Sequence, residues 1–211
     1  MGDLDMQQFA RYGVATVYEA AGRSGLIDIP LTQVVPGSRV AGPARTVRCG
    51  QGDNLMVHAA LAEVQPGEVL VLSMPEPAPV ALVGELIATQ AQVHGAAGML
   101  IDASVRDVEE IRALGFPIWA RWVRVRGATK TEVGAINEPV AVGGTSIAPG
   151  DIVLLDADGA VAIPAARAAD VLRAARAREE REAALREKLR AGAFSYDLHG
   201  LRAVVEGRKD G

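Results

Sequence analysis

The sequence predicts one α/β domain followed by a C-terminal helical arm. Three observations lead there. Through the middle of the chain, short β-rich runs alternate with helical segments, the pattern of strand–helix–strand units. Two of the runs start from the same device, a Pro-Gly turn and an acid, at Pro66-Gly67-Glu68 and Pro149-Gly150-Asp151. The segment 165–190 is rich in Ala, Arg and Glu, all strong helix formers. The 211 residues fit one domain, or two at most, at roughly 100–200 residues each. With 49% hydrophobic and 23% charged residues, a mainly disordered or collagen-like chain is excluded.

In chain order, residues 8–25 carry Phe9, Tyr12, Val14, Val17 and Ala20-Ala21 near helical spacing, with Gly22 as a stop. Residues 26–50 are punctuated by Pro and Gly and predict short strands at Val34-Val35 and from Ala44 to Arg48. Residues 53–63 predict a helix capped by Asp53 or Asn54. The Pro-Gly turns suit type II geometry feeding buried strands at Val69–Leu72 and Ile152–Leu155. Residues 81–94 have helical character and end at His94-Gly95. A buried strand follows at Gly98–Asp102, then a loop Ala103-Ser104-Val105, then a helix from Arg106 to Leu114 stopped by Gly115 and Pro117. Ile118-Trp119-Ala120 is the next strand, which makes a parallel β-α-β unit. The helix over 165–190 has few large aliphatic residues (Val171, Leu172, Leu185, Leu189) and calls for a neighbour or long solvent exposure. The expected division is a core over 1–164 and an arm over 165–211.

The charge balance narrows the function. A net charge of −4 and a pI near 5.5 speak against a nucleic-acid partner. The one basic stripe, Arg121-Trp122-Val123-Arg124-Val125-Arg126, could read phosphate; it reads first as a half-buried strand with a solvated arginine face, and a holder of a polycarboxylate substrate stands between the two. Apolar runs fall short of the roughly 18 residues a membrane helix needs, so no membrane association is expected. The start has no basic region, so no secretory signal is expected, and Met6 breaks the myristoylation pattern that Gly2 suggests. A single cysteine, Cys49, forbids an internal disulfide and fits a cytoplasmic protein.

Several standard machineries are missing from the sequence: the Gly-x-Ser-x-Gly elbow, the Walker loop and Gly-x-Gly-x-x-Gly. His58, His94 and His199 are far apart and read as surface or capping residues. Asp156-Ala157-Asp158-Gly159 lacks the closing Glu of a calcium loop and reads as a turn between strands. Of the three lysines, Lys130, Lys188 and Lys209, none lies in an apolar pattern of the kind a Schiff-base lysine needs. Carbonyl chemistry in this chain therefore points to a metal ion as electrophile.

Two element ends remain as candidate sites. Asp102-Ala103-Ser104-Val105-Arg106-Asp107 follows a buried strand and opens a helix, where α/β folds place ligands. Arg106 could neutralise an anion while Asp107 binds a hard cation; the pattern equally suits an acid complementing a helix dipole beside a surface arginine. The second end is Val83-Gly84-Glu85-Leu86-Ile87. A helix starting near Gly84 leaves the amides of Leu86 and Ile87 free for a carboxylate, and Glu85 lies beside them. A tolerated glycine in a packed helix is the alternative.

At these residues the sequence resembles the metal-dependent aldolases related to the regulator of RNase E activity. Glu85 and Arg106-Asp107 match the family's signature of an acid, twenty residues, then Arg-Asp. The resemblance covers almost the whole chain. It includes Val14–Ala20, Ala41–Val47, Gly52-Asp53-Asn54, Pro66–Val71, Gly115–Arg121 and Pro149–Val153. Thr16–Leu26 and Ser195–Gly200 look most like the branch acting on 4-carboxy-4-hydroxy-2-oxoadipate; the sister branch acts on 4-hydroxy-4-methyl-2-oxoglutarate. The resemblance implies a swivelling β/β/α layered fold, assembled as a homotrimer or homohexamer. It implies Mg²⁺ or Mn²⁺ at Asp107, with Glu85 reaching the ion and Glu182 supplied by a neighbouring subunit. It implies a 2-oxo acid substrate held by Gly84, the amides of Leu86 and Ile87, and Asn54. Arg106 would stabilise the enolate of pyruvate, and Arg121, Arg124 or Arg126 would be candidates for the distal carboxylates. The implied reaction is retro-aldol cleavage to pyruvate and oxaloacetate, with oxaloacetate decarboxylation as a side activity. A non-catalytic inhibitor of an RNA-processing enzyme is the rival reading. The chain departs from the family in having Glu85 for the usual Asp and Ala103 for the usual Gly.

Overall fold

The computed structural model describes residues 5–207. The readings made on Met1–Leu4 and Lys209 lie outside them. In chain order the elements are α1 (Met6–Ala20), β1 (Thr32–Gln33), β2 (Val40–Arg48), α2 (Leu55–Leu61), β3 (Val69–Ser73) and β4 (Ala81–Val83). Then come α3 (Glu85–Val93), β5 (Gly98–Val105), α4 (Val108–Leu114), β6 (Ile118–Val123), β7 (Ala135–Ile136), β8 (Val140–Val142) and β9 (Thr145–Ile147). The chain closes with β10 (Ile152–Asp156), β11 (Gly159–Ile163), a 3₁₀ turn at Ala165–Arg167, α5 (Ala168–Arg190), α6 (Ser195–Leu198) and α7 (Leu201–Glu206).

One sheet runs β1-β6-β5-β3-β2-β10-β11, with β4 added beside β5 and β7 beside β2, while β8 and β9 form a separate ribbon. The centre, β2-β3-β5-β6, is parallel. Its strands are apolar on both faces, as parallel strands covered on both sides must be. β2 belongs to two pairings at once: Val40–Pro43 lie antiparallel to β10, and Ala44–Arg48 lie parallel to β3. Gly42 makes this crossing tight, since a Cβ there would sit 2.2 Å from the Gly67 carbonyl oxygen.

Three apolar clusters hold the layers. On one face of the parallel strands, Leu70, Leu72, Met99 and Ile101 pack with Leu61 of α2, Ala88 of α3 and Ile111 of α4. On the other, Val71, Leu100 and Trp119 meet Val140, Val142 and Ile147 of the ribbon and Val153 and Leu155 of β10. The outer face of β10–β11 is covered by Phe9 and Val17 of α1 and by Val171 and Ala175 of α5. Beyond Ala175 no residue of α5 is fully buried. The helix leaves the core there, consistent with the polar pattern of 176–190.

Helix α1 is broken at Gly13, whose φ of 81° and ψ of 168° are not helical. Asp156 repairs the break. Its Oδ2 accepts the Val14 N–H at 2.9 Å, restarting the helix with a carboxylate cap, and its Oδ1 accepts the Asp158 N–H at 2.8 Å. The Asp156 carbonyl also accepts the Trp119 indole N–H at 2.8 Å. The turn expected at Asp156–Gly159 is present as the β10–β11 hairpin, and its first residue pins two layers together.

The structure corrects several boundaries. Residues 81–94 are a strand and a helix: Ala81-Leu82-Val83 pairs with β5, and α3 starts at Glu85. Three buried residues are too few to show a period of two, so a short inner strand merges with the following helix in the sequence. The loop expected at 103–105 is the end of β5, carried on by pairing to β4 and β6 across a register shift between Ile101 and Ser104. The helix expected from Arg106 begins at Val108. The basic stripe is extended only to Val123. Val34-Val35 are not a strand; the short edge strand is Thr32-Gln33, paired with Ala120 and Trp119.

Asp156→Ala leaves both the Val14 and Asp158 amides without their acceptor. It is expected to lower unfolding free energy by roughly 1–3 kcal/mol, read as a lower urea midpoint with an unchanged slope.

Candidate active site

Six of the residues singled out in the sequence converge. Asn54, Gly84, Leu86, Ile87, Arg106 and Asp107 line one hollow of about 220 Å³, together with His58, Gly127 and Lys130. The hollow sits where β4 passes into α3 and β5 into α4, at the carboxyl ends of parallel strands.

Gly84 lets the two junctions touch. A Cβ on it would lie 2.4 Å from Asp107 Oδ2 and 3.2 Å from Arg106 Nε. Asp107 in turn has a left-handed backbone (φ 57°, ψ 44°), which turns the chain from β5 into α4. Asp and Asn tolerate this region better than most residues. Its Oδ2 accepts the Glu85 N–H at 3.1 Å and lies 3.6 Å from Arg106 Nε. Among the described residues, nothing accepts from the N–H groups of Leu86 and Ile87. The first turn of α3 therefore presents two free donors beside a guanidinium, the arrangement expected for a carboxylate site. On its other side the Arg106 guanidinium passes close to Gly127, where a Cβ would be 3.0 Å from Nη1.

Two expected ligands stand apart from this corner. Glu85 turns its carboxylate along its own helix, where Oε1 accepts the Thr89 hydroxyl at 2.7 Å, and it does not line the hollow. Glu182 lies far along the chain on α5, in a different hollow with Arg178, Arg181, Leu185 and His199. Its Oε1 is 2.8 Å from Arg178 Nε, and Arg178 Nη1 is 3.8 Å from Glu19 Oε2. Among the described residues no three His, Cys, Asp or Glu side chains gather as a metal cage. Within one chain, Asp107 is the acid that offers the hollow a carboxylate with an oxygen left unbonded.

The arginines considered for distal carboxylates lie away from this corner. Arg121 pairs with buried Asp102 at 2.8 Å and stacks on Trp122. Burial pushes the Asp102 carboxyl up, and the Arg121 hydrogen bond and charge oppose it. Arg124 donates to the Val123 carbonyl at 2.7 Å. None of Arg121, Arg124 and Arg126 lines the hollow.

Instead the polar wall comes from His58 and Lys130, both of which the sequence reading set aside. His58 follows Asn54, the N-cap of α2, by four residues, a spacing that puts both on one side of the helix and was visible in the sequence. Its ring is half-buried, and burial, then the Lys130 charge, move its pKa down, which favours the neutral imidazole. Lys130 arrives from a distant loop held by Asp53. Asp53 Oδ2 accepts the Thr129 hydroxyl at 2.7 Å and the Thr131 N–H at 2.6 Å, and Oδ1 accepts the Leu55 N–H at 2.8 Å. Burial pushes this carboxyl up, but the hydrogen bonds from Thr131, Thr129 and Leu55 together outweigh it and hold it well below the usual carboxylate range. Cys49, close behind, is inert: burial and the Asp53 charge push its thiol up to about 12.

Comparison with known proteins follows the same lines. The sequence model of the RraA-like family, described as Aldolase/RraA, matches residues 14–162. A relative from Halalkalibacterium halodurans, named "Putative 4-hydroxy-4-methyl-2-oxoglutarate aldolase", is 36% identical over 168 residues, 80% of this chain and 78% of its own. A solved protein of Pseudomonas syringae pv. tomato superimposes with a TM-score of 0.79 at 27% identity, covering 90% of this chain and 93% of that one. Streptomyces coelicolor RraAS2, described as an unusual member of the RNase ES inhibitor RraA protein family, superimposes with a TM-score of 0.78 at 32% identity, covering 88% and 96%. No helix among the described residues is long and apolar enough to cross a membrane.

Asp53 supports the fold only when ionised. Its folded pKa is depressed, so its contribution is complete above the ordinary carboxylate pKa near 4 and fades as pH falls below that value. Asp53→Asn is expected to cost about 1–3 kcal/mol at pH 7 and to flatten the acid limb of stability against pH. Urea midpoints of both proteins from pH 7 to pH 3 check this; parallel curves would exclude the anchoring role.

Proposed function

The chain belongs to the RraA-like family, and from that footing we propose that it is a divalent-metal-dependent pyruvate aldolase. Its proposed substrate is 4-carboxy-4-hydroxy-2-oxoadipate, cleaved to pyruvate and oxaloacetate, with oxaloacetate decarboxylation as a secondary activity. The observation that carries this reading is the corner at Gly84. An arginine and an aspartate from one junction meet two unengaged backbone amides from another, all lining one hollow.

The residues suit a hard cation. Asp107 is half-exposed and has one oxygen free of hydrogen bonds, and oxygen donors are what Mg²⁺ and Mn²⁺ select. Asp107 would hold the ion. Glu85 would join directly or through water after releasing Thr89, and Glu182 would come from a second copy in a trimer or hexamer. The part of α5 beyond Ala175 buries no residue fully, which leaves it surface to offer a second copy, and within one chain Glu182 lines a different hollow. A bound divalent ion would supply Lewis-acid polarisation of the 2-oxo group and carboxylate of the substrate.

The chain's own groups account for the rest. The amides of Leu86 and Ile87 receive the pyruvyl carboxylate. A base takes the proton from the C4 hydroxyl, the C4–O bond becomes a carbonyl, and the electrons of the C3–C4 bond pass to C2–C3. Negative charge then develops on the C2 oxygen, where the Arg106 guanidinium meets it. Return of a proton to C3 releases pyruvate. Decarboxylation of oxaloacetate passes through the same enolate, hence the side activity.

The name of the Halalkalibacterium relative favours 4-hydroxy-4-methyl-2-oxoglutarate as the runner-up substrate. Comparing kcat/KM on the two acids decides between them. Pyruvate release that depends on added Mg²⁺ or Mn²⁺ and stops with a chelator is the expected result. Absence of any metal-dependent release would favour the inhibitor-like reading described for the Streptomyces relative. Arg106→Ala is expected to lower kcat about 10²–10³-fold with little change in KM; an unchanged kcat removes it from the mechanism. Asp107→Asn and Glu182→Gln should each be inactive alone. Mixed in one oligomer they should regain activity at about a quarter of the sites, as a ring of shared sites requires. No recovery would place Glu182 outside the site.

A further inference from the structure

The assignments to the pyruvate half leave part of the hollow unused. Asn54 is 5% exposed; its Nδ2 donates to the Leu82 carbonyl at 2.9 Å, and its Oδ1 is buried with no partner. His58 Nε2 is also buried with no partner. Buried polar side-chain atoms are nearly always paired, so two orphans in residues lining one hollow point to a polar ligand there; Asn54 Oδ1 can only accept, which suits a ligand hydroxyl, and a carboxylate on the same ligand needs a cation. The cation of this wall is Lys130. Its backbone is fixed from both sides, by Thr129 and Thr131 on Asp53 and by the Asn54 N–H donating to the Thr129 carbonyl at 2.9 Å. No ion pair engages Lys130 among the described residues, in contrast to Arg121, which is committed to Asp102.

We propose that Lys130 is the specificity-determining residue of this site. Its ammonium pairs with a carboxylate on the non-pyruvate half of a 4-hydroxy-2-oxo acid, beside the polar wall of Asn54 and His58. This rests on the aldolase reading and deepens it: the site selects 2-oxo acids with a second carboxylate and disfavours those ending in an alkyl group. A lysine suits this task, because a point charge on a flexible stem accepts carboxylates at slightly different reach.

The test uses the full-length protein with Mg²⁺ and two uncleavable five-carbon acids, 2-oxoglutarate and 2-oxopentanoate. They differ only in a terminal carboxylate against a methyl, and neither has a 4-hydroxyl. Calorimetry is expected to show 2-oxoglutarate bound on the order of tenfold more tightly by the unaltered protein. In Lys130→Met, 2-oxoglutarate should weaken until the two acids agree within about twofold, while 2-oxopentanoate stays unchanged. Lys130→Arg should restore part of the preference. Equal binding of the two acids by the unaltered protein overturns the proposal. So does a preference that survives Lys130→Met, equal weakening of both acids in that variant, or no binding of either acid. An intact preference in a protein that cleaves no 4-hydroxy-2-oxo acid would instead sink the aldolase reading and leave the Lys130 assignment standing.

Discussion

Two chain segments meet at Gly84 with less room than one methyl group needs, and the candidate site depends on that contact. The Asp107 carboxylate reaches the start of α3 because nothing projects from Gly84. It caps the Glu85 amide, a charge-assisted hydrogen bond worth about 1.5–3 kcal/mol. That gain offsets a left-handed backbone at Asp107 costing on the order of 1–3 kcal/mol. The cap is also selective. It engages the first amide of the helix and leaves the next two free, so one carboxylate both closes the junction and leaves donors for a ligand.

Two other aspartates show how environment divides one chemistry into different tasks. Asp53 is fully buried and saturated with donors, so it stays ionised and serves as an anchor for the loop that carries Lys130. Asp102 is buried with a single arginine and is spent on the opposite pairing. Asp107, half-exposed and with an oxygen free, is the one left with chemistry to do. Counting acids in the sequence would weigh all three alike; hydrogen bonding and exposure separate them.

Much of this was legible in the residues. The Pro-Gly turns, the parallel β5-α4-β6 unit, the hairpin turn at Asp156–Gly159 and the long polar helix each have a local signature, and each is present. The pairing of Gly84, Leu86 and Ile87 with Arg106 and Asp107 was legible through family spacing and through helix-start chemistry. What escaped was non-local. The strand Ala81–Val83 exists only because β5 has a free edge there, and the Gly13 break is sustained by a carboxylate 143 residues away in chain number. Lys130 sits in a segment with no periodicity, and only its tether to Asp53 brings it to the hollow. The arginine stripe shows the limit of reading charge locally: Arg121 is committed to Asp102, Arg124 and Arg126 are exposed, and none of the three lines the hollow.

The double pairing of β2 constrains how this domain can come apart. Four residues of one strand serve the antiparallel flank and the next five serve the parallel centre. Neither flank can peel away without stripping hydrogen bonds from a strand the other also uses. A nick or an insertion between Val40 and Arg48 would therefore cripple both halves together, and the domain should melt as a single cooperative unit, without a half-folded survivor.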